Sequence, residues 1–235
     1  MRKIKMFCLP YGGGSASVYL KWTKLTKSLD IIPVELAGRG SRIQDPQYTH
    51  IDEAVEDVCG YIMKHSDDSR FVIFGHSLGS LIAYELYFAL KAQKSCAKPL
   101  MLFLSGKNPP DVVSRRLRHK LSDEELKREL HALGGLSEEV LLYPEILELF
   151  LPVIRNDFKI VEQYVMSTEH GQVDCPLVIF NGRQDRLTSL NKMERWHQFT
   201  TSKCEIHHYD GHHFFLFEQQ YNIMKQVENL VSRYS

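Results

Sequence analysis

Residues Phe71-Val72-Ile73-Phe74-Gly75-His76-Ser77-Leu78-Gly79 combine an apolar run with a Gly-x-Ser-x-Gly motif, and this combination is the strongest indication of the fold class. The four consecutive apolar residues predict a buried strand, and the residues from Ser80 to Lys94 have a helical pattern, so Gly-x-Ser-x-Gly lies at a strand-to-helix turn. In such a turn the serine backbone is strained, and the flanking glycines leave room for the neighbouring chain. The context predicts that Ser77 is an exposed nucleophile. The alternative is an ordinary Gly/Ser turn between a strand and a helix.

Short apolar runs alternate with amphipathic patterns along most of the chain. The runs lie at Lys5 to Leu9, Ile31 to Leu36, Phe71 to Phe74, Leu100 to Leu104, Leu177 to Phe180 and Cys204 to Tyr209. Helices are predicted at Val18 to Leu29, Ile51 to Met63, Leu78 to Lys94, Leu190 to Phe199 and Gln219 to Ser232. Because several runs are almost continuously apolar, we expect an α/β fold with a mainly parallel sheet flanked by helices, in one domain spanning residues 1–235.

The interval between the runs at Leu104 and Leu177 is much longer than a usual strand-helix-strand link. Ser122 and Glu125 form a capping box at the start of one helix. A second helix should begin near Pro144, with Pro152 expected to kink or split it. Its apolar residues recur at helical spacing: Ile146, Leu149, Phe150, Val153, Ile154, Phe158, Val161 and Tyr164.

We expect residues 107–172 to form a helical lid inserted between late strands. Ligands of open α/β sheets bind at the carboxyl ends of the strands, where this insertion begins, and the lid would shape an acyl channel there. The alternative is an extra packing subdomain with no contact to substrate.

Composition excludes several classes of protein. The 235 residues carry a formal net charge of +0, which indicates no overall attraction to nucleic acid or to an anionic membrane. The five cysteines are scattered, which argues against a disulfide framework or a zinc module and suits a reducing compartment. The apolar stretch after Met1 is interrupted too early for a signal peptide or a membrane span. We therefore expect a cytoplasmic protein. We also expect it to be a monomer and to use no cofactor.

A serine nucleophile needs a base and a carboxylate that orients the base. The order serine, acid, histidine is that of an α/β-hydrolase. Asp185 follows the Leu177 strand and is the candidate acid, although a loop aspartate is often only a turn former. His212 and His213 both follow the last strand and are the candidate bases.

Two further motifs have competing interpretations. The loop Tyr11-Gly12-Gly13-Gly14 should offer a backbone N–H beside the turn, so Gly12 and Leu78 are the predicted oxyanion donors. A phosphate cradle is disfavoured because the loop lacks both nucleotide-binding spacings. The cluster from His207 to His213 invites a metal interpretation, but adjacent strand residues point to opposite faces and no second ligand group is evident, so no metal is expected.

At these residues the chain resembles the type II thioesterases of nonribosomal peptide and polyketide synthesis, nearly from end to end. The matching segments are Cys8 to Gly14, Val34 to Arg42, Gly75 to Gly79, Phe103 to Gly106, Leu121 to Glu125, Leu133 to Gly135, Leu149 to Tyr164, Phe180 to Asp185 and Gly211 to Leu216. Glu-Leu-x-Gly-Arg-Gly and Gly-x-His-Phe-Phe-Leu are the more specific of these. Ala37 and His212 depart from the residues common in that family, proline and glycine.

The resemblance implies an editing enzyme with an α/β-hydrolase fold, which hydrolyses wrongly primed or stalled acyl groups from the phosphopantetheine arm of acyl or peptidyl carrier proteins. It favours His213 as the base, beside Ser77 and Asp185. The alternatives are a medium-chain acyl-carrier-protein thioesterase, a general esterase, and a non-catalytic binding relative. A basic run that includes Arg115, Arg116 and Arg118 could dock an acidic carrier protein, or could be solvated surface only.

Overall fold

The computed structural model describes residues 3–67, 70–93, 98–114, 116–134 and 144–234. Its centre is a sheet of six strands in which every neighbouring pair is parallel. The strands are β1 (Ile4–Leu9), β2 (Leu29–Pro33), β3 (Phe71–His76), β4 (Leu102–Ser105), β5 (Leu177–Gly182) and β6 (Cys204–Tyr209), in the spatial order β2-β1-β3-β4-β5-β6. All six carboxyl ends therefore meet at one edge.

Helices cover both faces of this sheet, as the apolar runs predict. They are α1 (Ile51–His65), α2 (Leu78–Ala92), α3 (Asp123–Ala132), α4 (Pro144–Gln163), α5 (Leu190–Met193), α6 (Phe215–Glu218) and α7 (Gln220–Ser232). Residues of α1 and α2 pack with Trp196 into one core on the first face. Residues of α7 pack with Trp22 into a second core on the other. The expected α/β sandwich is thus confirmed.

The predicted helix from Val18 to Leu29 is wrong in type and length. The chain forms a 3-10 helix at Ala16–Lys24, and Leu29 already begins β2. Tyr19 and Trp22 are both buried against the sheet, and their three-residue spacing aligns on one side of a 3-10 helix. Tertiary packing of these two aromatic rings therefore decides the local structure.

The described residues of the insertion between β4 and β5 include the helices α3 and α4, as expected. The capping box of α3 is present, because the Ser122 hydroxyl accepts from the Glu125 N–H and the Glu125 carboxylate accepts from the Ser122 N–H. Pro152 does not split α4, which is one helix from Pro144–Gln163. Pro152 itself is exposed. Its neighbours Leu151 and Val153 are buried, and their packing holds the helix in place.

The insertion has a small apolar core of its own, separate from the two cores on the sheet. It consists of Leu126, Leu130, Leu147, Leu151 and Ile154, with Leu121 and Phe158 at its margin. Through this core the described parts of α3 and α4 pack against each other.

Gly75 is expected to be indispensable for stability. A Cβ there would lie 2.1 Å from the Gly79 carbonyl oxygen, a backbone atom that cannot yield unless α2 moves away from β3. Gly75→Ala should lower the free energy of unfolding by about 3 kcal/mol or more. Gly60→Ala is the matched control, because Gly60 is exposed within α1 with no atom within 4 Å of a new Cβ, and it should raise stability by about 0.5–1 kcal/mol. Urea unfolding measures both, and a Gly75→Ala variant as stable as wild type would contradict the close approach.

Candidate active site

Ser77 occupies the strained turn between β3 and α2. Its backbone has φ 54° and ψ −110°, in the left-handed half of conformational space that side chains rarely adopt. The Ser77 N–H donates to the Ser105 carbonyl oxygen at 2.8 Å, which ties the turn to β4. A Cβ at Gly79 would lie 2.3 Å from the Leu9 carbonyl oxygen, so α2 starts directly against the end of β1. The fold holds Ser77 at the carboxyl edge, where the sequence places it.

Asp185 and His213 meet at the same edge from neighbouring strands. Asp185 follows β5 and His213 follows β6, and the His213 Nδ1–H donates to Asp185 Oδ2 at 2.8 Å. Both residues are buried, and Asp185 Oδ1 accepts the Leu187 N–H at 2.7 Å. Since a carboxylate only accepts hydrogen bonds, it keeps the ring proton on Nδ1 and leaves a lone pair on Nε2. Nε2 is therefore the basic nitrogen available to a nucleophile.

The described part of the chain contains no hydrogen bond between the Ser77 hydroxyl and the His213 ring. Catalytic hydrogen bonds are often long in the absence of substrate and shorten in the reacting complex. The roles of Ser77, Asp185 and His213 thus stay predictions, supported by the meeting of all three at one edge.

Two other histidines lie near this point, and neither has the partners of a base. His212 is exposed, and its Nδ1 lies 3.3 Å from the Gln184 carbonyl oxygen. His76 is fully buried with its ring 4.9 Å from that of His213, and its Nδ1 lies 2.9 Å from Ser105 Oγ. Burial lowers the pKa of His76 well below its ordinary value, and the nearby His213 lowers it further. His76 is therefore neutral at physiological pH.

The predicted oxyanion donors lie in two segments that contact each other. Leu78 is the first residue of α2, so its N–H has no partner within the helix. Gly12 lies in the loop that follows β1, and this loop is held beside α2 by the contact of Gly79 with Leu9 and Pro10. Because the two segments are in contact, the structure is compatible with the predicted pair Gly12 and Leu78.

A cavity of about 100 Å³ opens beside Ser77, between the chain after β4 and one side of α4. Its lining mixes apolar and charged residues, among them Lys107, Val112, Asp157, Phe158 and Glu162. Burial lowers the pKa of Lys107 to about 8, and the Glu162 carboxylate opposes this shift. Lys107 is therefore charged in most molecules at neutral pH. It is one of the cavity residues that sequence analysis does not single out.

A second missed feature is the buried ion pair between Arg39 and Asp157. Arg39 belongs to the Glu-Leu-x-Gly-Arg-Gly segment, which the sequence marks as specific without giving it a role. Asp157 lies among the apolar residues Ile154, Phe158 and Val161 of α4. A charged residue within an apolar stripe is the signal that could have identified it, because buried charges need partners.

The basic run before α3 is only partly a free surface. Arg115 lies outside the described residues. Arg116 is 59% exposed and pairs with Glu129 at 2.9 Å. Arg118 is buried, donates from Nε to the same carboxylate at 2.9 Å and packs over the Phe158 ring. The docking role of Arg118 stays a prediction, and its guanidinium contributes less free surface charge than that of Arg116 because it is paired inside the insertion.

The histidine cluster does not form a ligand set in the described ranges, where no group of three histidine, cysteine, aspartate or glutamate side chains could hold a metal ion. His207 lies near Glu205 and Gln226, whereas His213 binds Asp185. Cys8, Cys175 and Cys204 are free thiols. Across those same ranges, no helix has the length and apolar character needed to cross a membrane.

A parallel sheet with a serine at its strand-helix turn, followed by an acid and a histidine after later strands, defines an α/β-hydrolase. The thioesterase domain family matches this chain over residues 4–231, and the chain belongs to that family.

Individual relatives agree with this assignment. The gramicidin S biosynthesis protein GrsT of Aneurinibacillus migulanus is 32% identical over 225 residues, which cover 95% of this chain and 87% of GrsT. The crystal structure of ClbQ from the colibactin NRPS/PKS pathway superposes with a TM-score of 0.93 at 33% identity, covering 99% of this chain and 98% of ClbQ. The medium-chain S-acyl fatty acid synthase thioesterase of Rattus norvegicus is 28% identical, covering 91% of this chain and 82% of that enzyme.

Proposed function

We propose that this protein is a type II, editing thioesterase of nonribosomal peptide or polyketide synthesis. It hydrolyses acyl thioesters on the phosphopantetheine arm of acyl or peptidyl carrier proteins. The observation that carries the proposal is the Asp185–His213 pair at the same sheet edge as the strained Ser77, in a chain similar throughout its length to GrsT and ClbQ. We also propose that it acts as a monomer in the cytoplasm, a reducing compartment that suits the free thiols of Cys8, Cys175 and Cys204.

Acylation begins when the Ser77 oxygen attacks the thioester carbonyl carbon. The hydroxyl proton moves to His213 Nε2, and Asp185 stabilises the resulting imidazolium through its bond to Nδ1. The carbonyl oxygen becomes an oxyanion that the Gly12 and Leu78 N–H groups stabilise. The carbon–sulfur bond then breaks, and the leaving sulfur takes the proton from His213. The products of this half are the acyl-serine ester and the free pantetheine thiol.

Deacylation repeats the sequence with water. The water oxygen attacks the ester carbon while His213 accepts a proton from the water. His213 then gives that proton to the Ser77 oxygen as the ester bond breaks. The net reaction consumes one thioester and one water and yields a carboxylic acid and a thiol. Because a thiolate leaves easily, nucleophile activation and oxyanion stabilisation carry most of the catalysis.

The insertion is proposed to act as a lid, with residues 107–172 as its extent. Support comes from the cavity, which lies between Ser77 and α4 and would be open without the insertion. An acyl group on Ser77 would lie against Phe158 and Val161 of α4.

The direct test is intact-protein mass spectrometry of carrier proteins loaded with defined acyl groups. Wild-type enzyme should return the carrier protein to its free-thiol mass, and Ser77→Ala should leave it acylated. Acyl-CoA and simple oxygen esters, assayed in parallel, separate this function from a general esterase. Hydrolysis of oxygen esters with no effect on carrier proteins would overturn the proposal.

The preference for acyl-chain length distinguishes the proposed editing thioesterase from a medium-chain thioesterase, the alternative that the rat relative represents. Charged groups such as Lys107, Asp157 and Glu162 line the cavity beside Ser77, and they are poor neighbours for a long hydrocarbon chain. A series of acyl-pantetheines from two to twelve carbons should therefore show faster hydrolysis of the shorter members. A maximum at medium chain length would favour the alternative.

Carrier docking at the basic run is expected to depend on its exposed members, Arg116 and Lys120. Reversing both charges to glutamate should raise KM for an acyl-carrier protein by about three- to tenfold, with an effect that weakens as salt rises. A short acyl-pantetheine needs only the catalytic site, so its hydrolysis should not change. The readout is steady-state kinetics on both substrates at low and high salt.

The matched control is Lys3→Glu with Lys203→Glu, because these exposed lysines precede β1 and β6 at the opposite edge of the sheet. The control should leave both substrates unaffected. Equal losses on both substrates in the Arg116/Lys120 variant would indicate damage to the insertion. No loss on either would place docking elsewhere.

A further inference from the structure

The Arg39–Asp157 pair joins three parts of the chain around Ser77. Arg39 Nη1 donates to Asp157 Oδ2 at 2.6 Å, and Nη2 donates to Oδ1 at 2.9 Å. The Gly13 N–H donates to the same Oδ2 at 2.7 Å. Arg39 is 2% exposed and Asp157 is 1% exposed. The segment after β2, the helix α4 and the glycine loop after β1 are thus linked through one carboxylate.

The carboxylate lies directly against the loop that carries the predicted oxyanion donor. A Cβ built on Gly12 would be 3.2 Å from Asp157 Cβ and 3.7 Å from Oδ2. A Cβ on Gly13, whose φ is +77°, would be 2.4 Å from Ile154 Cγ1, so the preceding turn of α4 also packs on the loop. The position of the Gly12 N–H is therefore set by α4 through Asp157 and Ile154.

Charge balance explains why this carboxylate has an arginine partner. A carboxylate without a countercharge in this buried place would repel the negative oxygen that forms during acyl transfer. The two parallel bonds from Arg39 make the pair neutral while leaving Oδ2 available to Gly13. Burying an ion pair usually stabilises a fold no more than apolar packing does. Stability alone therefore does not account for a buried ion pair at this place, whereas a role in the reaction does.

We propose that Arg39 and Asp157 are positioning residues that hold the Gly12–Gly13 loop in its oxyanion-binding geometry while keeping zero net charge beside the oxyanion. The inference rests on the proposed function, because it assumes acyl transfer at Ser77. It also divides the insertion: the turn of α4 that contains Asp157 is a fixed wall of the site, and any opening of the lid leaves that turn in place.

Arg39→Met tests the proposal because it leaves Asp157 without its countercharge. With a short acyl-pantetheine, kcat should fall by about 10- to 100-fold while KM changes by less than about threefold. A purely structural defect would be as large or larger in a variant that also lacks the Asp157 charge.

The double variant Arg39→Met/Asp157→Asn removes both charges and keeps an amide oxygen for the Gly13 N–H. It should regain kcat to within about fivefold of wild type, and it keeps the test available if Arg39→Met alone does not fold. Arg42→Met is the matched control, because Arg42 lies in the same segment and pairs instead with Asp57, at 2.6 Å. Its kcat should stay within about twofold of wild type. Thermal unfolding confirms that each variant is folded.

Three results would overturn the inference. A wild-type kcat in Arg39→Met would show that the countercharge has no role. An equal loss in the single and double variants would reduce the pair to a structural contact. If wild-type enzyme does not hydrolyse the thioester at all, the proposed function itself is overturned. This outcome differs from the first two, because in those the wild-type enzyme is active and only the comparison with the variants contradicts the inference.

Discussion

Ser77→Ala should lower the rate of thioester hydrolysis by about four to six orders of magnitude, because the Ser77 hydroxyl is the protein group proposed to attack the acyl carbon. The fold should be retained, since alanine keeps the Cβ that already occupies the strained φ of 54°. Single-turnover hydrolysis with enzyme in excess measures the loss. Intact-mass analysis should show an acyl adduct on wild type after rapid quenching and none on the variant.

Ser114→Ala provides a matched control for this result. Ser114 also lines the cavity, and its hydroxyl donates to the Arg116 carbonyl oxygen at 3.0 Å, away from any base. Its removal should change the rate by less than about twofold. Near wild-type turnover in purified Ser77→Ala, or an acyl adduct at another residue, would remove Ser77 from the mechanism.

The turn at Ser77 is predictable from sequence because its determinants are local. An apolar strand, two glycines and a helix adjoin one another, and each imposes a constraint on its neighbour within a few residues. Asp185 and His213 follow from topology, because the carboxyl ends of parallel strands meet at one edge. The 3-10 helix at Ala16–Lys24 is missed for the opposite reason, since its form depends on how Tyr19 and Trp22 pack against the sheet.

A single sequence could not predict that Arg39 and Asp157 form an ion pair. The two residues are 118 positions apart, and the chain offers many other acids and bases. Only the docking of α4 on the glycine loop brings them together. The same holds for Arg118, which has the sequence context of a surface cation yet is buried against Glu129 and Phe158.

The second large loss of activity is expected when the base His213 or its orienting acid Asp185 is replaced. The hydrogen bonds of Asp185 predict how its replacement acts on His213. Asp185 Oδ1 accepts the Leu187 N–H, and Oδ2 accepts from His213. In Asp185→Asn the amide oxygen must stay with the Leu187 N–H, so the amide nitrogen faces His213 Nδ1. Because the amide nitrogen only donates, His213 Nδ1 must then accept a hydrogen bond, and the ring proton moves to Nε2. A ring protonated on Nε2 cannot take the proton of Ser77.

We therefore expect His213→Ala to approach the defect of Ser77→Ala and Asp185→Asn to lose about three to four orders of magnitude in kcat/KM. Asp185→Ala should be no worse than Asp185→Asn, because it leaves the ring free to adopt either tautomer. His212→Ala is the control and should cost less than about tenfold, since its ring is exposed beside Gln184. Steady-state kinetics on one acyl-pantetheine compares all four variants. An inactive His212→Ala beside an active His213→Ala would reverse the assignment of the base, and an Asp185→Asn enzyme more active than Asp185→Ala would refute the tautomer mechanism.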